Sequence, residues 1–113
     1  MTLDDYFSTG PPHERPVFDA VMAGLAHLDE VHVEPVSVGI FLKRARTFAE
    51  LRPMTAWVAV GFSLARVARH PRITRKVLAY PGGQYHVANV RGPDEVDDAL
   101  VELLIEAYHR TPE

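Results

Sequence analysis

Two stretches of the chain repeat their apolar residues at helical spacing, and the region between them alternates. Phe18, Val21, Met22, Leu25 and Leu28 fall at i, i+3, i+4, i+7 and i+10, one stripe along a helix predicted over about residues 16–28. Pro16 fits its first turn, where a missing N–H forfeits no intrahelical bond, and Asp29-Glu30 closes it. Residues 1–15 read as an arm, because Gly10-Pro11-Pro12 interrupts any helix there, with Tyr6 and Phe7 tucked onto the domain as anchors.

Val31 and Val33 alternate with His32 and Glu34, and Val36, Val38, Ile40 and Leu42 alternate again beyond Pro35. Lys43-Arg44-Ala45-Arg46 is a polar reversal, and Thr47 to Arg52 returns as a third strand. Pro53-Met54 turns into a fourth, in which Ala56, Val58, Val60 and Phe62 share one face and Trp57 points the other way. The alternation lapses over 65–76, which reads as a short helical turn broken at Pro71 and then an irregular connection. Val77 to Tyr80 and Tyr85 to Arg91 form a last hairpin about Pro81-Gly82-Gly83-Gln84.

Gly92-Pro93 then opens a final helix lined by Val96, Leu100, Leu103, Leu104 and Ala107. Asp94, Glu95, Asp97 and Asp98 crowd its first turns, and His109 and Arg110 its end, the distribution that the helix dipole favours. The order α, six strands, α predicts an α+β fold. Short turns imply an antiparallel meander of about six strands, with the N-terminal and C-terminal helices packed on one face. At 113 residues the length is that of one domain, with a globular core over about 16–110 behind the arm.

Composition narrows the chemistry. The chain has no cysteine, which excludes disulfides, a thiol nucleophile and cysteine metal sites, and suits a cytoplasmic setting. No apolar run approaches the roughly 20 residues that span a bilayer, and the acidic start Met1-Thr2-Leu3-Asp4-Asp5 is unlike a secretory signal. No membrane partner is expected. Ten arginines against two lysines are the usage of a GC-rich bacterial genome.

The charge is unevenly placed. Residues 35–92 carry ten basic side chains against the single acid Glu50, a net of +9, while the rest hold Arg15 and Arg110 against fourteen acids, a net of −12. Basic sheet and loops can pair with acidic helices, internally or in a homodimer. They can also form an anion site for a phosphate, a carboxylate ligand or nucleic acid, since clustered charge concentrates such ligands. Lys43, Arg44, Arg46, Arg66, Arg69, Arg72, Arg75 and Lys76 are the candidate anion-binding residues. Against a dedicated DNA binder stands an overall pI of about 6.0.

Catalytic and metal chemistry find little support. The six histidines lie on six different elements without ligand spacing, so no metal or cofactor is expected. Gly61-Phe62-Ser63-Leu64-Ala65 lacks the final glycine and the scaffold of a nucleophile elbow. Glu50, alone among arginines, is expected in a structural ion pair rather than as a general base.

The run Arg46-Thr47-Phe48-Ala49-Glu50-Leu51-Arg52-Pro53, following Gly39-Ile40-Phe41-Leu42-Lys43-Arg44, resembles the hairpin of a small bacterial domain family of unknown function. Its members occur alone or at the C-terminus of nuclease-like and so-called predicted transport proteins. The strand Tyr85-His86-Val87 and the helix from Asp94 to Tyr108 are similar to the rest of that family, so the likeness runs over about 14–109. It implies architecture and no chemistry. The leading expectation is a non-enzymatic binding or accessory module whose basic sheet-and-loop surface meets an anionic partner. The alternatives are a small enzyme or ligand-sensing domain with a pocket between sheet and helices at Arg46, Glu50, Tyr85 and His86, and a structural homodimerisation domain.

Overall fold

The computed structural model describes residues 1–110. Three α-helices, α1 (Leu3–Ser8), α2 (Glu14–Gly24) and α3 (Asp98–Arg110), accompany six strands. These are β1 (His32–Val36), β2 (Gly39–Lys43), β3 (Thr47–Pro53), β4 (Val58–Leu64), β5 (Leu78–Tyr80) and β6 (Gly83–Val90). All pairings are antiparallel, in the spatial order β1-β2-β3-β4-β6-β5. The expected α+β architecture is the one observed, but it is not a plain meander. The connection 65–77 carries the chain past the place of β6 to the sheet edge, and β6 returns to fill the gap beside β4.

Local chemistry moves several boundaries. The arm contains a helix, α1, because the Thr2 hydroxyl accepts the Asp5 N–H at 3.1 Å and Asp4 and Asp5 occupy the first turn, both favourable at a helix start. Tyr6 is buried and Phe7 packs against Phe18, so the two aromatic anchors hold. The first hairpin turns at Ser37-Val38 rather than at Pro35, which stays inside the edge strand β1 where a missing N–H is tolerated. Val38 is accordingly exposed. Ala56 lies in the β3–β4 turn, closed by Met54 N–H to the Trp57 carbonyl at 2.8 Å, and is not part of β4.

No helical turn forms in 65–70. The segment is held instead by the Ala68 N–H donating to His86 at 2.9 Å and by the Asn89 N–H donating to the Arg72 carbonyl at 3.0 Å. Gly92-Pro93 opens only a single 3-10 turn, Pro93–Glu95. The α-helix begins at Asp98, because the Asp97 carboxylate accepts the Leu100 N–H at 2.8 Å and caps it. Asp94, Glu95 and Val96 therefore precede α3 instead of lining it.

The core lies between the helices and one face of the sheet. Val17 and Val21 from α2, Leu25 capping its end, and Leu100, Leu104 and Ala107 from α3 meet Ile40, Leu42, Leu51, Val58, Val60, Phe62 and Leu64. Met22, expected among them, is only partly buried. The register places Phe41, Glu50, Gly61 and Val87 in one row across the opposite face, with Arg52, Ala59 and Asn89 in the next. No helix among the described residues is long and apolar enough to cross a membrane.

Candidate functional site

The open face is organised around a glycine in the middle of a central strand. Gly61 faces outward on β4, and the ring of Tyr85, two residues from Gly61's partner Val87 on β6, lies over it. A Cβ at Gly61 would collide with the phenol, so an interior strand glycine marks a close approach. Tyr85 reaches beyond Gly61 and donates its hydroxyl to Glu50 on β3. The contact spans two inter-strand spacings, roughly 9–10 Å, so the tyrosine must lie along the sheet. Burial first, then the hydrogen bond and negative charge of Glu50, push the Tyr85 hydroxyl well above the usual phenol range. The other Glu50 oxygen faces Arg52 Nε at 3.6 Å, which supplies the ion pair expected of that lone acid.

Two shallow clefts adjoin on this face. One, of about 280 Å³, has Gly61, Ala59 and Val87 as its floor and Glu50, Arg52, Arg75 and Tyr85 around it. The other, of about 240 Å³, is bounded by Trp57, Arg72, Thr74, Asn89 and Arg91. The tie between Asn89 and Arg72 runs the 65–77 connection along the outer side of β6. It thereby delivers Arg72 and Thr74 to one cleft and Arg75 to the other.

The eight candidate cations do not share one surface. Lys43 pairs with Glu34 at 3.0 Å, and Arg66 grips Glu106 with two hydrogen bonds of 3.1 and 2.8 Å. Arg72 pairs with Glu95 at 3.2 Å while still bordering its cleft. The Arg44 guanidinium sits 4.6 Å over the Tyr108 ring, at the helix-covered side. Arg46 lines a separate depression with Tyr80 and Arg110. Arg69 and Lys76 are exposed, and Arg75 is exposed beside Tyr85. Basic loop and acidic helix are thus paired internally at several points, and the open face keeps Arg52, Arg72, Arg75 and Arg91.

The alternative set divides as well. Glu50 and Tyr85 meet, but His86 points to the other face of β6, where it is fully buried and stacks on Phe62 at 5.3 Å. Its Nε2 accepts from the Ala68 N–H and its Nδ1 donates to the Gln84 carbonyl at 3.0 Å, fixing a neutral ring. Burial pushes its pKa below the usual imidazole value. This histidine holds the connection to the sheet and is out of reach of the clefts. Among the described residues no group of three or more His, Asp or Glu side chains is placed to hold a metal.

Trp57, Arg52, Asn89 and Arg91 join the site without having been singled out from sequence. The available signal was alternation: Ala59 and Gly61 share the face opposite to Val58 and Val60, and Trp57, just ahead of β4, lines a cleft on that side with Asn89. Fold and site together define an α+β domain with one helix-covered and one open sheet face. The sequence matches the family described as Domain of unknown function (DUF5655) over residues 3–111, and the chain belongs to that family. No curated protein and no solved structure matches it.

Proposed function

We propose that this chain is a non-enzymatic binding module, one domain long, that takes an anionic partner on the open face of its sheet. The observation that carries the reading is that Arg52 and Arg75 both line a cleft floored by small and apolar residues. Guanidinium groups there offer forked donors suited to phosphate or carboxylate. The strands beneath are central in the sheet and backed by the core, so the donors project from a rigid base. A cysteine-free chain suits a cytoplasmic setting for such a partner. The bacterial, nuclease-associated company of the family that the hairpin resembles is compatible with it.

The test is an NMR titration of the intact chain with inorganic tripolyphosphate at two salt concentrations. Shifts should centre on the Gly61, Val87 and Asn89 amides, weaken at the higher salt, and fade in the Arg52→Gln/Arg75→Gln double variant. Shifts confined to residues 65–69, or none, would overturn the reading.

A second reading, homodimerisation, is favoured by one feature. β5 is an edge strand with Leu78 58% and Tyr80 45% exposed, and apolar edges invite strand pairing. Sedimentation over a range of concentrations decides it, since a monomer throughout excludes a dimer.

A further inference from the structure

We infer that the partner of the open face is single-stranded nucleic acid, bound across β4 and β6 with bases stacked on Tyr85 and Trp57 and phosphates at Arg52 and Arg75. The inference rests on the anionic reading of this face and adds what kind of anion it takes.

Size argues against a compact ligand. Small-molecule pockets run to about 300–1,000 Å³ and enclose most of their occupant, whereas these clefts measure about 240 and 280 Å³ and lie side by side on an open sheet. An extended partner can occupy both. Aromatic placement says what its repeating unit contains. The Tyr85 ring lies over Gly61, and Trp57 lies just ahead of β4, four residues before Gly61, in the adjoining cleft with Asn89. Two separated rings call for a chain bearing several planar groups. An acidic peptide supplies the charge but not the planar repeat.

Electrostatics permit it despite the chain's net charge of −3. Of the acids at the clefts, Glu50 is engaged by Tyr85 and Arg52. Glu95 is engaged by Arg72 and by the Arg91 N–H at 2.7 Å. Against these two acids the clefts hold Arg52, Arg72, Arg75 and Arg91, a surplus of two positive charges for a phosphate to meet. Asn89 lies in the row between the two rings and can meet a base edge with its amide. A duplex hides the base faces that aromatic platforms need, so an unpaired strand is the fitting form.

Trp57 is the one tryptophan of the chain, which makes its fluorescence a site-specific reporter. The experiment titrates the intact protein with a labelled twelve-nucleotide single-stranded DNA, its RNA equivalent, the matching DNA duplex and tripolyphosphate, at two salt concentrations. Both single strands should quench Trp57 and raise the label's anisotropy, with log K falling about 0.7 per phosphate neutralised. The duplex should bind at least tenfold more weakly. Arg52→Gln/Arg75→Gln should flatten the salt slope by roughly 1.4 on that scale. Tyr85→Leu should weaken binding about tenfold, while Tyr85→Phe, which keeps the ring but deprives Glu50 of its hydroxyl partner, should weaken it less. Tripolyphosphate binding with no quenching by either strand would overturn the inference and leave the anionic reading standing. No binding of any probe would remove both.

Discussion

Tyr85 hydrogen-bonds Glu50 across the intervening strand β4, passing over Gly61 to do so. The three residues form one device, since the bond exists only because Gly61 has no side chain. Gly61→Ala should lift the ring and cost about 1–3 kcal/mol, the range for losing a hydrogen bond to a charged partner. Tyr85→Phe should cost a similar amount, and the double variant little more than either. Denaturant unfolding of the three variants measures this, and additive costs would contradict a shared device.

Tyr6 and Glu14 form a second such pair on the core side. Glu14 is fully buried, the Tyr6 hydroxyl donates to its Oε2, and its Oε1 has no hydrogen-bond partner among the described residues. Burial pushes the Glu14 carboxyl above the usual range. Tyr6→Phe removes the donor and should destabilise by about 1–3 kcal/mol. Because a protonated carboxyl is easier to leave buried, the loss should shrink on acidification. Chemical unfolding at neutral and mildly acidic pH checks the sign.

Tyr6 and Tyr85 should both resist ionisation where a free phenol, of pKa about 10, is half ionised. Burial dominates both upward shifts, with the neighbouring glutamate adding to it. Above about pH 10 the unfolded chain releases these protons first, so stability falls as pH rises through the interval. Ultraviolet titration should show Tyr6 and Tyr85 ionising late, one late proton being lost in each of Tyr6→Phe and Tyr85→Phe.

His86 sets the acid side. Its folded pKa lies below the ordinary value of about 6.5, chiefly through burial, with Arg66 lowering it further and Glu106 opposing. Below that pH the unfolded chain binds the proton first, so stability declines as pH falls toward the folded value. Protonation would also turn Nε2 against the Ala68 N–H. His86→Leu should flatten this decline and cost about 1–3 kcal/mol near neutrality by leaving that N–H buried and unpaired.

Leu104 is fully buried on α3 against the sheet. Leu104→Ala should cost about 2–5 kcal/mol, read from the denaturation midpoint. Arg66→Gln, which breaks an exposed, solvent-screened pair with Glu106, should leave the denaturation midpoint nearly unchanged.

What the sequence determined by itself is the set of elements and their faces. Periodicity marks α2 and α3 because burial of one face selects apolar residues at 3.6-residue spacing, and marks the strands because successive side chains alternate. Phe18, Val60 and Leu100 could thus be assigned to a core before any contact was known. Capping and turns blurred the boundaries: Thr2 starts a helix that Gly10-Pro11-Pro12 seemed to forbid, and Asp97 rather than Gly92-Pro93 starts α3.

Only the tertiary structure decided what faces what. The placement of β6 between β4 and β5 depends on pairing between segments distant in sequence, and no local pattern encodes it. That same pairing turns His86 inward and Tyr85 outward, which splits a set that adjacency in sequence had joined. The charge asymmetry was plain from composition, yet its meaning was not. Pairing depends on a few ångströms between groups, and those distances engage Arg52, Arg66 and Arg72 with acids while leaving Arg75 exposed beside an open cleft.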